Sequence, residues 1–214
     1  MKILLTGASG FIGKKLLNFL LKKNHHVTIL GRKRKDFFNK KNILFIKHDL
    51  NDRISEKNIL KINSCKKILH LAWQNLPNYS DIFHIRNNLF YQYIFLKDII
   101  DKTKINDITI SGTCLEYGLI NGELDPNQKT NPIVPYGIAK DYLRKVLFSL
   151  SYLTKTNVKW IRIFYLYGDG QSKHSLLSQL EHDIKLKKKK FNMSKGNQIR
   201  DFINISEASE IIYK

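Results

Sequence analysis

The sequence predicts an α/β fold, a doubly wound parallel sheet with helices on both faces. Three observations carry that expectation. Short apolar runs recur along the chain and alternate with longer stretches of helical periodicity. The first run passes into a helix through Thr6-Gly7-Ala8-Ser9-Gly10-Phe11-Ile12-Gly13, a turn with almost no side chains. No internal repeat, low-complexity linker or long apolar span interrupts the alternation. A chain of 214 residues suffices for one such domain with a sizeable core, or for one domain and part of another.

Taken in order, Ile3 to Leu5 reads as a central strand buried on both faces. Phe11, Ile12, Leu16, Leu17, Phe19 and Leu20 then recur at helical spacing, with lysines mostly opposite. Between strand and helix, Gly7 permits the tight turn, Gly10 leaves room for an anion to approach the backbone, and Gly13 lets helix and strand pack closely. A helix N-terminus placed this way suits a dinucleotide pyrophosphate; the alternative is a glycine-rich turn with no ligand. Val27 to Leu30 is the second strand. It ends at Gly31-Arg32-Lys33-Arg34, where an NAD-preferring fold would place a carboxylate about 20 positions after the glycines. Arg32 suits a 2′-phosphate, so NADP is the expected cofactor, with NAD as the other choice; surface cations of a lysine-rich chain would look the same.

Ile43 to Ile46, Ile68 to Ala72 and Ile108 to Ser111 read as further strands, and an amphipathic helix is expected from about Ile82 to Ile100. Asp49, Leu71-Ala72-Trp73 and Ser111-Gly112-Thr113 therefore lie at carboxyl ends of strands, where an open parallel sheet binds its ligand. His70 is either a packed core histidine or a proton carrier. His25 and His26 receive no role.

Pro135 is placed to start a helix that continues through Leu143, Val146, Leu147 and Leu150. Tyr136 and Lys140, four apart, share one face of its first turns. A neighbouring ammonium favours a phenolate, bringing tyrosine into range as a general acid/base. Thr113 can hold the reacting oxygen through its hydroxyl. On spacing alone the pair could equally be an ordinary helix surface; after a dinucleotide turn and a hydroxyl-bearing strand end it reads as catalytic.

The net charge of +19 comes from lysines scattered through the chain, so nucleic acid is not the expected partner. The Lys187 to Lys190 run is expected to end a helix and face solvent. Two cysteines, Cys65 and Cys114, have no metal-ligand spacing, so no metal site is expected; Cys114 reads as a small packed residue. The glycines break the apolar run of the N-terminus, which argues against a signal peptide and for a cytoplasmic protein with no membrane partner.

Gly7 to Gly13, His70-Leu71-Ala72, Thr113 through Tyr117-Gly118, Tyr136 through Lys140 and Arg162 through Gly168 resemble successive motifs of the extended short-chain dehydrogenases/reductases, the nucleotide-sugar epimerase/dehydratase/reductase family. The resemblance covers essentially the whole chain. It implies a Rossmann domain at 1–168 and the start of an incomplete C-terminal substrate-binding region at 169–214. It implies cofactor contacts at Gly7, Gly10, Phe11, Ile12, Gly13, Asp49, Leu50, Leu71, Ala72 and Phe164. Thr113 takes the place of the catalytic Ser/Thr, Tyr136 of the acid/base, Lys140 of the ribose-holding lysine and Asn88 of the associated helix asparagine. Arg200, in Gly196-Asn197-Gln198-Ile199-Arg200-Asp201-Phe202-Ile203, matches the arginine that grips the substrate diphosphate, with Trp73, Thr113, Tyr136 and Tyr165 also on the substrate side.

The spellings around Thr113 and Tyr167-Gly168-Asp169-Gly170-Gln171 resemble a branch of 4-keto-6-deoxy-sugar reductases and related epimerases. The expected activity is reduction of such a nucleotide-diphosphate sugar. A 4-epimerase, a dehydratase, an inactive NADP-binding regulator and a truncated subunit are the alternatives, and a homodimer is possible. Two departures stand out. The family continues well past Lys214, so a fragment or shortened form is expected, and Tyr165 stands where several relatives carry an asparagine.

Overall fold

A computed structural model describes residues 1–197 and 199–214; Gln198, inside the Arg200 motif, lies outside the described residues. Six strands, β1 (Lys2–Thr6), β2 (His26–Gly31), β3 (Ile43–Lys47), β4 (Lys67–His70), β5 (Asp107–Thr113) and β6 (Asn157–Ile163), form one sheet in the order β3-β2-β1-β4-β5-β6. Every adjacent pair is parallel. The strand order reverses between β1 and β4, whose carboxyl ends open the crevice where such sheets take a ligand.

Alternation along β1 sorts the core into two layers. Leu4 joins Leu30, Ile68, Phe95, Ile99, Ile110, Leu143 and Leu147 on one face; Ile3 and Leu5 join Leu16, Leu17, Leu20, Val27, Ile29 and Leu69 on the other. The first face is covered by α2 (Glu56–Ile62), α3 (Phe90–Lys102) and α4 (Pro135–Thr154), the second by α1 (Phe11–Lys22). Pro135 sits in the first turn of α4, as expected of a proline whose missing N–H costs nothing there.

Three local differences from the sequence reading have physical causes. The expected helix from Ile82 is a π-helical turn over His84–Leu89 followed by α3; the wider turn carries His84 and Asn88 inward, both buried. β4 stops at His70, because the Thr6 hydroxyl accepts from Ala72 N at 3.2 Å and ends the ladder. α5 (Leu176–Lys185) ends before the Lys187 to Lys190 run, where Lys187 turns left-handed at φ 53°.

Beyond β6, β7 (Tyr165–Tyr167) and β8 (Phe202–Asn204) pair in a small parallel sheet. α6 (Ile205–Tyr213) then returns to the first domain, where Ile212 packs with Leu16, Leu17 and Leu20 of α1. Within residues 169–214, α6 thus joins the sheet's helical layer. His25, unassigned from sequence, helps seat it through Nε2 and the Tyr213 hydroxyl at 2.9 Å.

Candidate active site

The β1–α1 turn is built by contact. Gly7 has φ 73°, and a Cβ there would lie 2.8 Å from Ala72 N and Leu71 C, so glycine is required by both conformation and space. A Cβ at Gly13 would fall 2.1 Å from Gly7 O, which explains the third glycine as a packing residue. Gly10 caps α1 without a side-chain hydrogen bond, and the first turn carries no acidic residue. The first N–H groups of α1 are left for an anion. Phe11 and Ile12 open this turn, and Lys15 reaches Asp169 at 3.7 Å from the loop after β7.

At the carboxyl ends of β2 and β3, a cleft of about 320 Å³ is lined by Arg32, Lys47, His48, Asp49, Asp52 and Arg53 among others. Asp49 Oδ1 accepts from Asn51 N at 3.1 Å, while Leu50 packs against the core. His48 Nε2 is buried with no hydrogen-bond partner among the described residues, and burial lowers its pKa. Arg32 is exposed at the rim. Uncapped helix, close-packed glycines and a basic cleft with an unpartnered ring nitrogen fit a dinucleotide running from α1 to β3.

Across the crevice, Thr113 at the end of β5 and Tyr136 and Lys140 on α4 are brought together, all three buried. Burial raises the pKa of the Tyr136 phenol, with the charges of Tyr79 and Glu116 adding to it; the nearby Thr113 hydroxyl works to lower it, and the net shift is upward. The expected lowering by Lys140 is therefore not what this geometry produces. Lys140 Nζ donates to Ser111 O at 2.6 Å and lies 3.9 Å from the Trp73 ring centroid, 6.0 Å from that of Tyr136. Burial pushes its ammonium down to about 7, against the attraction of Glu116.

That shift has a sign that can be checked. The lysine is charged in the unfolded chain up to its ordinary value of 10.5 but loses its proton near 7 when folded. Folding therefore releases a proton between those values, and stability rises with pH by up to about 1.4 kcal/mol per unit in that window. Below it, the cost of burying the ammonium is fully present. Relative to Lys140→Met, the unsubstituted protein should melt progressively lower as pH falls from 9 to 7; a pH-independent gap in thermal unfolding would refute this.

Glu116 is the functional residue that the sequence reading missed. Fully buried, it accepts from Thr113 N at 2.9 Å, Trp160 Nε1 at 2.9 Å and Arg162 Nε at 2.8 Å, with Arg144 Nε at 3.6 Å. It fixes Thr113 by a capping box, and the signal was present as Thr113-Cys114-Leu115-Glu116. Gly112 makes room for it: a Cβ there would lie 2.2 Å from Trp160 Nε1 and 2.6 Å from Glu116 Oε1.

His70 is resolved as a core residue. Its Nδ1 meets the Thr6 hydroxyl at 2.9 Å, its Nε2 meets Gln92 Oε1, and burial pushes its pKa down to about 3. It is neutral and ties β1 to β4 and α3. Asn88 does not reach Tyr136 through any hydrogen bond in the structure; its amide donates to Gln74 O at 3.0 Å. On the far side, the Arg200 guanidinium stacks 4.4 Å from the Tyr165 ring centroid, and Phe164 lies 6.2 Å from Tyr117. Arg200 is also near enough to Cys114 for its charge to oppose the rise that burial imposes on that thiol. Among the described residues no group of three or more potential ligands could hold a metal, and no helix is long and apolar enough to cross a membrane.

The profile of the NAD dependent epimerase/dehydratase family matches residues 3–214. This chain belongs to that family. It is 31% identical over 213 residues to a protein named dTDP-6-deoxy-L-talose 4-dehydrogenase (NAD(+)) from Aggregatibacter actinomycetemcomitans, covering 98% of this chain and 77% of that one. It is 26% identical to a GDP-6-deoxy-D-talose 4-dehydrogenase of the same organism, over 100% of this chain and 69% of that one. Among solved structures, the UDP-N-acetylglucosamine 4-epimerase of Methanobrevibacter ruminantium M1 superposes with a TM-score of 0.85 at 21% identity, over 99% of this chain and 71% of that chain. Bacillus cereus UDP-glucuronic acid 4-epimerase, in complex with its sugar nucleotide and NAD, gives 0.81 at 22% identity, covering 98% and 71%. These last two likenesses establish the fold, and they agree with the Rossmann architecture that the glycine turn implied for this epimerase/dehydratase family member.

Proposed function

We propose that this chain is an NAD(P)-dependent oxidoreductase acting at C4 of a nucleotide-activated 6-deoxy sugar, in the direction of reducing a 4-keto group. The observation that carries the reading is the convergence of Thr113, Tyr136 and Lys140 on one buried pocket at the carboxyl ends of the sheet. The 31% identity to a protein named as a 4-dehydrogenase of a dTDP-6-deoxy sugar supports that choice of carbon and substrate class. When bound, the dinucleotide supplies the hydride. Gly7, Gly10 and the α1 N-terminus would hold its pyrophosphate, the Asp49 cleft its adenosine and Lys140 its nicotinamide ribose. Tyr136 gives its proton to the sugar oxygen while Thr113 orients that oxygen, and Arg200 with Tyr165 binds the substrate diphosphate. Burial keeps Tyr136 a phenol, which is the protonation state that reduction requires. Residues 1–168 would carry the cofactor and the segment from 169 to β8 the start of the substrate side. Both cysteines are free thiols, in keeping with a cytoplasmic setting.

The test is incubation with a dTDP-4-keto-6-deoxyhexose and NADPH. Net loss of reduced nicotinamide, matched by formation of the 4-hydroxy sugar, is expected. In a second incubation, with the 4-hydroxy sugar and oxidised dinucleotide, an epimerase would invert C4 and return the hydride, leaving the nicotinamide absorbance unchanged; that result, with no loss of NADPH on the keto sugar, would overturn the reading.

For the cofactor we favour NADP(H), although the dehydrogenase relative's name specifies NAD(+). No carboxylate ends β2, and Arg32, Lys47 and His48 line the cleft beside it. A charge-assisted bond to a 2′-phosphate contributes about 1.5–3 kcal/mol, roughly ten- to a hundredfold in affinity. Titration of the purified protein should give that ratio in favour of NADPH; equal affinities or tighter NADH binding would exclude it.

A further inference from the structure

A histidine that takes no part in the chemistry above lies directly beneath it. His84 is fully buried in the π-helical turn, with its ring centroid 5.2 Å from that of Tyr136 and 6.3 Å from that of Trp73. Three hydrogen bonds fix the ring. Trp73 Nε1 reaches Nδ1 at 3.1 Å, Asn88 Nδ2 reaches the same Nδ1 at 3.1 Å, and Nε2 meets Asn78 O at 3.0 Å.

The chemistry of the partners decides the tautomer. An indole N–H and an amide N–H₂ can only donate, so Nδ1 must be an acceptor; a carbonyl can only accept, so Nε2 must carry the proton. The neutral Nε2–H form satisfies all three contacts. A proton on Nδ1 would set a donor against two donors and break both bonds at once.

Trp73 is the residue on which the ammonium of Lys140 rests, 3.9 Å from its ring centroid, and its edge faces Tyr136 at 5.8 Å between centroids. Whatever holds the indole thus holds the wall against which the lysine and the tyrosine are set. We infer that His84 is a positioning residue for the proposed reaction: as a neutral Nε2–H imidazole it locks Trp73 and Asn88 in place under Tyr136 and Lys140. The inference rests on the reading of Tyr136 and Lys140 given above, but the lock itself is a property of the protein without substrate.

Charges around the ring act in both directions. Burial of the ring and, after it, the charge of Lys140 from α4 disfavour the imidazolium, while the hydrogen bond to Asn78 O and the charge of Asp81 in the preceding loop favour it; the net shift of the histidine's pKa is downward. Tyr136 faces it from the same helix as Lys140, and neutral. The lock therefore stands at neutral pH and opens only in acid.

The chain has two tryptophans, and both indole nitrogens have assigned acceptors, His84 for Trp73 and Glu116 for Trp160. Selective ¹⁵N-indole labelling thus gives two resonances that report separately. In His84→Phe the Trp73 indole resonance should move upfield while that of Trp160 stays. In the same variant kcat should fall on the order of tenfold to a hundredfold, the loss expected of misplaced catalytic groups. Dinucleotide affinity should remain within about twofold.

His84→Asn offers an amide oxygen near the place of Nδ1 and should recover both the resonance and most of kcat. If the phenylalanine variant does not fold, ¹⁵N-imidazole labelling makes the test on the unsubstituted protein, where His84 should carry its proton on Nε2 and none on Nδ1 at pH 7.5. An unmoved Trp73 resonance in His84→Phe, or a proton found on His84 Nδ1 at pH 7.5, would overturn the lock. So would loss of turnover that His84→Asn does not restore. Failure of the unsubstituted protein to turn over any 4-keto sugar would instead defeat the proposed reaction, leaving the resonance to decide on His84.

Discussion

A Tyr136→Phe protein is expected to lose about 10²- to 10⁴-fold in turnover, the usual contribution of a positioned general acid, while binding the dinucleotide as before. The reason is the separation of functions in the pocket. A hydride reaching a sugar carbon must be matched by a proton at the attached oxygen, and the Tyr136 hydroxyl, beside Thr113, is the buried phenol at the crevice. The glycine turn and the basic cleft that would hold the cofactor involve other residues altogether. Steady-state rates and a dinucleotide titration on the same preparation check both halves. Turnover within a few fold of the unsubstituted protein would exclude Tyr136 as the acid.

The second large effect is structural. Glu116→Ala should lower stability by about 3–5 kcal/mol, because it leaves the buried Arg162 guanidinium without its counter-ion. For a chain of this size that corresponds to roughly 6–20 °C in Tm. Arg162 faces the carboxylate with its side chain only 10% exposed, so water cannot replace the lost partner fully, whereas Arg144 keeps Asp141 at 2.6 Å. Trp160 Nε1 and Thr113 N lose their acceptor in the same step. Thermal unfolding of the two proteins decides it. A drop below about 2 °C would mean that the carboxylate contributes little, contrary to its geometry. Glu116→Gln should fall between, since an amide oxygen can still accept from Thr113 N or Trp160.

The sheet was legible in the sequence because buried parallel strands read as short continuous apolar runs, and each of Ile3 to Leu5, Val27 to Leu30, Ile43 to Ile46 and Ile68 to Leu69 lies in one. Gly7 and Gly13 were legible because the turn they form is local. What escaped the reading is what distant segments supply. Glu116 acquires its meaning from Trp160 and Arg162, more than forty residues on, and its capping box alone would not have revealed the arginines. α2 is only 7 residues long, too short for periodicity to stand out. The direction of the Tyr136 shift failed for a related reason: spacing along a helix brings Lys140 near but says nothing of the burial that outweighs it, nor of Ser111 O and Trp73, which draw the ammonium aside.

The return of α6 to α1 governs how this chain can be made. Ile212 completes a layer that begins with Leu16, Leu17 and Leu20, and Tyr213 reaches back to His25. On a ribosome the first helix emerges long before its cover does. The strands that α1 lies on come early, but until residue 213 has left the exit tunnel the flank of α1 that meets Ile212 has no partner, so vectorial synthesis cannot finish this layer from the front. Between the two helices lie about 180 residues of synthesis during which that part of α1 waits for its cover.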